Sequence, residues 1–171
     1  TSPHRPSYLL PPPHIRRKEN GFMAFSGETF GGTSVGSPER IGSVARRIAD
    51  ANKEGHQLVV VVSAMGQTTD ELLTLAKSVS SQPPHREVDM LLTAGERISM
   101  ALLSMALSDL GVPAVSFTGS QSGIITDSRH RRARIQKILA DRVRQAIDRH
   151  EVAIVAGCPG VGAAKDITTL G

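Results

Sequence analysis

The sequence predicts an α/β fold with a mostly parallel central sheet covered by helices on both faces. Three observations carry this. Leu58 to Val62 and Val152 to Ala156 are continuous apolar runs, the mark of strands buried inside a parallel sheet. Residues 38–53 place Ile41, Val44, Ala45, Ile48 and Ala49 on one helical face. Strand-like and helix-like segments then alternate along the chain, which calls for helices that cross over the sheet.

Taken in order, Phe25-Ser26-Gly27-Glu28 is a poor candidate for a buried strand, because Gly and Glu disfavour that setting. Phe30 to Ser37 is a glycine-rich turn that leads into a helix-start signal. Ser37 suits the N-cap, Pro38 the first helical position, and Glu39 the positive end of the helix dipole. Gly55 stops this helix, and the strand at 58–62 follows. Residues 70–80, with Leu72, Leu73, Leu75, Ala76 and Val79, predict a short helix that Pro83-Pro84 ends. Residues 86–110 predict a helix bent or broken near Gly95 and closed by Gly111. Val112 to Phe117 predicts the next strand and Ile124-Ile125 a short one. Residues 136–149 predict a helix, 152–156 a strand, and 157–160 a turn.

Bulk properties exclude several function classes. The chain has 171 residues, enough for one cored domain, with 39% hydrophobic content and net charge +4. No apolar run approaches the ~20 residues of a membrane span, so no membrane partner is expected. The single cysteine, Cys158, rules out an internal disulfide and suits a reducing compartment; it ends an apolar run and reads as a small packing residue. Four Phe, one Tyr and no Trp make a base-stacking surface a poor fit. The basic stretch from Arg129 to Arg149 is interleaved with Asp141 and Asp148 and reads as a solvated helix face, so no nucleic-acid partner is expected. The six histidines are scattered without metal-ligand spacing, so no protein-held metal is expected.

The chemistry gathers at the ends of the predicted strands, where ligands of such sheets bind. Gly31 and Gly32 lack a Cβ, so the backbone can approach a ligand closely. With Thr33, Ser34 and the following helix N-terminus they fit a phosphate cradle, although an ordinary tight turn gives the same short string. Ser63 to Thr69 and Gly157 to Gly160 fall at the same edge, and Thr93 to Glu96 approaches from the side. Taken singly, Ser63 and Thr69 also suit helix caps, and Glu96 a solvated helix charge.

Longer strings decide between these readings. Phe30-Gly31-Gly32-Thr33-Ser34-Val35-Gly36-Ser37 closely resembles the opening motif of aspartate kinases, in the amino-acid kinase superfamily. The resemblance continues through Val59 to Leu73, Met90 to Ser99, Ser116 to Gln121, Val155 to Gly157 and Thr168 to Gly171, in family order and spacing over residues 23–171. It implies the three-layer α/β/α sandwich of the amino-acid kinase fold. It implies transfer of the ATP γ-phosphoryl group to the β-carboxylate of L-aspartate, the first step of lysine, threonine and methionine biosynthesis, in the cytoplasm. ATP would enter as its Mg²⁺ complex. Phe30, Gly31, Gly32, Thr33 and Ser34 would hold its phosphates. Ser63 would stand near the reacting centre, Ser63 and Thr69 would bind aspartate, and Glu96 would accept hydrogen bonds from the α-ammonium group.

The sequence departs from that pattern in places. Thr29 stands where the family has the catalytic lysine, and Cys158-Pro159 stand where an aromatic and Gln are usual. The resemblance implies that the chain spans the N-terminal half of a kinase domain, with an Arg-Gly-Gly-Ser segment and the nucleotide lobe beyond Gly171. This leaves room for a homo-oligomer or for pairing with a C-terminal region. It also leaves open a catalytically inactive kinase fragment that acts only as a binding module. Residues 1–22 hold five of the ten prolines and are expected to be a disordered extension, with Met23 as the natural start.

Overall fold

The structure is a computed structural model that describes residues 25–170. The expectations for residues 1–22 and for the start at Met23 lie outside the described residues. Strands β1 (Phe25–Phe30), β2 (Gln57–Val62), β6 (Val152–Ala156) and β3 (Ala114–Phe117) form one sheet in the order β1-β2-β6-β3, with every pairing parallel.

Helices α1 (Pro38–Lys53) and α3 (His85–Asp109) bury one face of this sheet. Their Ile41, Val44, Ile48, Leu103 and Leu107 pack on Leu58, Val60, Val62, Val152 and Ile154. Helix α4 (Asp141–Asp148) covers the other face, where Val143, Ala146 and Ile147 meet Phe117, Ala153 and Val155. The result is the expected three-layer α/β/α arrangement. Strand β6 is buried at all five positions, because both its faces carry helices. Strand β2 alternates: Leu58, Val60 and Val62 are buried while Val59 and Val61 are half-buried, so it is less enclosed than its apolar run suggests.

Helix α1 matches its expected bounds and buries its five expected residues; Ser37 accepts the Arg40 N–H at 3.3 Å as N-cap. Polar β1 forms because it lies at the sheet edge, where one side needs no partner strand. Its Glu28 side chain, mostly buried, pairs with Arg47 of α1 at 3.4 Å.

Several elements differ from the sequence expectation. Helix α3 runs unbroken for 25 residues, through Gly95. That glycine serves packing: a Cβ there would lie 2.9 Å from the Ala64 Cβ and 3.2 Å from the Thr68 Cγ2. Helix α3 is also long and apolar enough to cross a membrane by length and composition. Here it is the central helix of the domain and carries two buried carboxylates, Asp89 and Glu96. Helix α2 (Thr68–Val79) buries none of its residues completely, and Leu75 and Val79 of its expected apolar face are exposed.

The segment expected as one helix over 136–149 is a strand, β5 (Ile135–Ile138), followed by the shorter α4. Ile135, Ile138 and Leu139 have helical spacing and blend into the pattern of α4, yet the first two pair with β4 (Ile124–Thr126). The expected turn at 157–160 likewise runs into β7 (Pro159–Val161), which pairs with β8 (Ile167–Thr169). These four strands make a second, mixed sheet in the order β5-β4-β7-β8. Its register depends on pairings between residues 6 to 36 positions apart, which local periodicity does not report.

Candidate functional site

Parallel pairing brings the carboxyl ends of β1, β2 and β6 to one edge, and backbone hydrogen bonds join the loops that leave them. Ser63 N–H donates to the Phe30 carbonyl at 3.1 Å, Gly157 N–H to the Val62 carbonyl at 2.9 Å, and Gly66 N–H to the Gly32 carbonyl at 2.9 Å. The turn at Gly31 to Ser34 is closed by Ser34 N–H on the Gly31 carbonyl at 2.9 Å. Gly31, Thr33 and Ser34 face solvent, while Phe30 is buried in the core. A Cβ on Gly32 would stand 2.8 Å from the Ala64 carbonyl oxygen, so the turn and the loop after β2 can meet only if residue 32 is glycine. Arg40 of α1 donates to the Thr33 carbonyl and braces the turn from behind. Gly66, at φ +48°, supplies the left-handed bend of the facing loop.

Thr29, opposite Val61, is the penultimate residue of β1 and is exposed beside this turn. Its hydroxyl carries no charge, so a cation is lacking at that position. Ser63 follows β2 directly and is half-buried. Thr69 lies in the first turn of α2, whose N-terminus no side chain caps. The expectation that Ser63 or Thr69 merely caps this helix is therefore not met.

Helix α3 crosses this edge at Gly95, close against Ala64 and Thr68. The next residue, Glu96, is only 4% exposed. Both its carboxylate oxygens accept the Cys158 N–H, Oε1 at 3.1 Å and Oε2 at 3.2 Å. Burial pushes the Glu96 carboxyl above its ordinary value, and the hydrogen bonds from Cys158 oppose this in part. Glu96 is thus no solvated helix charge. It is a desolvated carboxylate with free lone pairs and, among the described residues, no cation within salt-bridge distance. The approach at Gly95 sets α3 against Ala64 in the loop that carries Ser63 and against Thr68 at the start of α2, while Glu96 itself reaches Cys158 in the loop after β6. Among the described residues no hydrogen bond links the side chains of Ser63, Thr69 and Glu96 to one another.

Cys158 is not the packing residue its position in the sequence suggests, since the residue as a whole is exposed. The protein nevertheless crowds its sulfur. Burial, with the Glu96 charge alongside, pushes the thiol up to about 12. Next to Glu96 on α3, Thr93 and Arg97 line a cavity of about 20 Å³ together with Thr118 and Ser120 of the Ser116–Gln121 motif, room for roughly one water.

One cluster escaped the sequence reading. Asp89 has no exposed surface. Its carboxylate accepts the Thr169 hydroxyl at 2.6 Å, His130 Nδ1–H at 2.8 Å, and Arg131 N–H at 3.1 and 3.2 Å. The available signal was a single acidic residue within the otherwise apolar Val88 to Leu92 stretch.

Comparison with known proteins agrees with this fold. Residues 29–170 match the model of the amino acid kinase family. The aspartokinase of Corynebacterium glutamicum is 55% identical over 150 residues, covering 87% of this chain and 36% of that protein. The aspartokinase of Thermus thermophilus is 52% identical over 149 residues, covering 87% of this chain and 37% of that protein. The chain therefore spans little more than a third of the length of these relatives. The crystal structure of aspartate kinase from Synechocystis superposes with a TM-score of 0.72 at 44% identity, over 86% of this chain and 24% of that one. The E. coli aspartokinase III in complex with aspartate and ADP shares the fold, with a TM-score of 0.73 at 19% identity over 85% of this chain and 43% of that one. From the strand-end loops that meet at Gly32 and Ala64 to the match over residues 29–170, the sequence and the structure agree that this chain belongs to the amino acid kinase family.

Proposed function

We propose that the chain supplies the aspartate-binding and phosphate-binding half of an aspartate kinase. The reaction moves the γ-phosphoryl group of ATP to the β-carboxylate of L-aspartate and gives 4-phospho-L-aspartate, the first step toward lysine, threonine and methionine in the cytoplasm. One observation carries the reading: Glu96 is a buried carboxylate with no cation within salt-bridge distance among the described residues, held by the loop that leaves β6 at the same sheet edge as the loops after β1 and β2. An α-ammonium group is its natural partner, and the 52–55% identity to aspartokinases supports L-aspartate as the amino acid that brings it.

The roles follow from placement. The Gly31 to Ser34 turn offers backbone N–H groups and two hydroxyls to the phosphates of Mg²⁺-ATP, where negative charge collects. Ser63, whose N–H is fixed on the Phe30 carbonyl at the edge of the glycine turn, would offer its hydroxyl to the reacting groups. Thr69, in the open first turn of α2, binds a carboxylate of the amino acid. Phosphoryl transfer needs positioning and charge neutralisation more than covalent chemistry, so these groups suffice to align the acceptor.

Thr29 favours a second reading. A neutral hydroxyl in place of the family lysine cannot follow the charge that builds on the transferring group, so the chain would bind both ligands and transfer slowly or not at all. One experiment separates the two. The chain is joined to the C-terminal region of an aspartokinase relative and assayed with ATP, Mg²⁺, L-aspartate and hydroxylamine, which traps the acyl phosphate. The 171-residue chain alone should give no product above background. The joined protein should give aspartyl hydroxamate, and Thr29→Lys should raise kcat by roughly 10²–10³-fold, the scale of one transition-state donor. Activity only in the Thr29→Lys form supports the inactive-module reading. No product from either form, in folded protein that binds ATP, overturns the kinase reading.

A further inference from the structure

Asp89 and Glu96 lie seven residues apart on α3, two helical turns, and so share one face of the helix. Each grips an end of the same β7–β8 hairpin. Glu96 holds the N–H of Cys158, just before β7, at 3.1 Å. Asp89 holds the hydroxyl of Thr169, the last residue of β8, at 2.6 Å. The two ends are themselves joined, because Leu170 N–H donates to the Cys158 carbonyl at 2.9 Å. A continuous path therefore runs from Asp89 through Thr169, Leu170 and Cys158 to Glu96.

The Asp89 end is rigid. A carboxylate without exposed surface is costly unless its lone pairs are filled, and this one is filled by donors from two distant segments. Arg131 takes a left-handed backbone, φ +64°, and its N–H lies on both Asp89 oxygens. Ala133 N–H donates to the Thr169 carbonyl at 3.0 Å, so the 130–133 turn and β8 close around the carboxylate together. By contrast, Glu96 has one N–H donor and spare lone pairs. A binding carboxylate of that kind is only as well aimed as the N–H that holds it.

We propose that Asp89 is a positioning residue for the substrate site. It locks β8 and the 130–133 turn to α3, and through the Leu170–Cys158 pairing it sets where the Cys158 N–H stands and so how Glu96 is aimed at the incoming ammonium group. This rests on the reading of Glu96 as the ammonium partner. The path itself is a property of the chain and can be measured without any ligand.

The test uses the full chain in three forms: unaltered, Thr169→Val, which removes only the hydroxyl, and Thr169→Ser, which keeps it. Asp89→Asn serves as a fourth form, and since it alters a fully buried group the Thr169 pair carries the decision. Amide hydrogen exchange is read at Cys158, with Val60 and Ile154 as core references, and L-aspartate affinity is read by titration. Thr169→Val should speed exchange at Cys158 by about tenfold or more, the scale of one hydrogen bond to a charged group, with Val60 and Ile154 unchanged. The same variant should weaken L-aspartate binding several-fold, and Thr169→Ser should restore both. Unchanged exchange at Cys158 in Thr169→Val overturns the proposal. So does equal loosening of Cys158 and the core amides, or a Thr169→Ser form as impaired as Thr169→Val. If the unaltered chain binds no L-aspartate, the ammonium reading of Glu96 fails, and the exchange result still decides whether Asp89 sets the Cys158 contact.

Discussion

Gly32 faces the carbonyl oxygen of Ala64 so closely that a Cβ would stand 2.8 Å from it. Both partners are backbone, held by the Gly66 N–H on the Gly32 carbonyl at 2.9 Å, so neither can swing aside. This contact fixes the distance between the loop after β1 and the loop after β2, and with it the width of the proposed phosphate site.

Gly32→Ala should therefore cost about 1–3 kcal/mol, the usual range for overpacking. Urea unfolding of the two forms measures it, and nucleotide affinity should fall in the same variant. Gly31→Ala is the control: nothing lies within 4 Å of a Cβ there, so its stability should change little. A Gly32→Ala chain as stable as the parent would mean that the two loops are not in contact.

Stability should also carry the mark of Glu96. Burial raises its carboxyl above the ordinary 4.5 in the folded chain, so the folded state holds that proton more tightly than the unfolded chain does. Stability from this group then falls as pH rises from the ordinary value through the raised one, and stays lower above it. Glu96→Gln keeps an oxygen for the Cys158 N–H and removes the ionisation. Relative to the parent it should gain stability progressively across that window. Unfolding curves taken from pH 4 upward check the sign; a variant that loses ground to the parent as pH rises would show that Glu96 is favourably paired when charged.

The thiol of Cys158, pushed up to about 12, should be a slow nucleophile although the residue is exposed. Its thiolate fraction at pH 8 is small, and the greater nucleophilicity of a more basic thiolate makes up only part of the loss. Alkylation by iodoacetamide should run roughly 10²-fold slower than for a free cysteine in a short peptide. Glu96→Gln removes one cause of the shift and should speed the reaction. A rate equal to that of the peptide would mean that the sulfur is neither crowded nor beside a carboxylate.

Much of the fold was legible because it is written in local patterns. The five buried positions of α1, its Ser37 cap and the apolar run of β6 are visible within one or two turns of sequence. The second sheet was not, because Ile135 and Ile138 carry helical spacing and become strand only by pairing with β4. Gly95 misled for a similar reason. Within the chain it looks like a break, whereas in space it is where α3 meets Ala64 and Thr68. The strand-end loops of the site were found from their glycines and hydroxyls. Asp89 was missed because its partners, His130 and Thr169, lie 41 and 80 residues away, and no spacing rule connects them.

The most direct test of the central claim is calorimetric titration of the chain with L-aspartate and with succinate, which is aspartate without the ammonium group, in the parent and in Glu96→Gln. The account predicts that the parent binds L-aspartate and that Glu96→Gln weakens this by at least about tenfold, since one hydrogen bond to a charged group is worth about 1.5–3 kcal/mol. Succinate should bind weakly and be unaffected by the substitution. If Glu96→Gln binds L-aspartate as tightly as the parent, Glu96 does not receive the ammonium group and the proposed aspartate site is wrong.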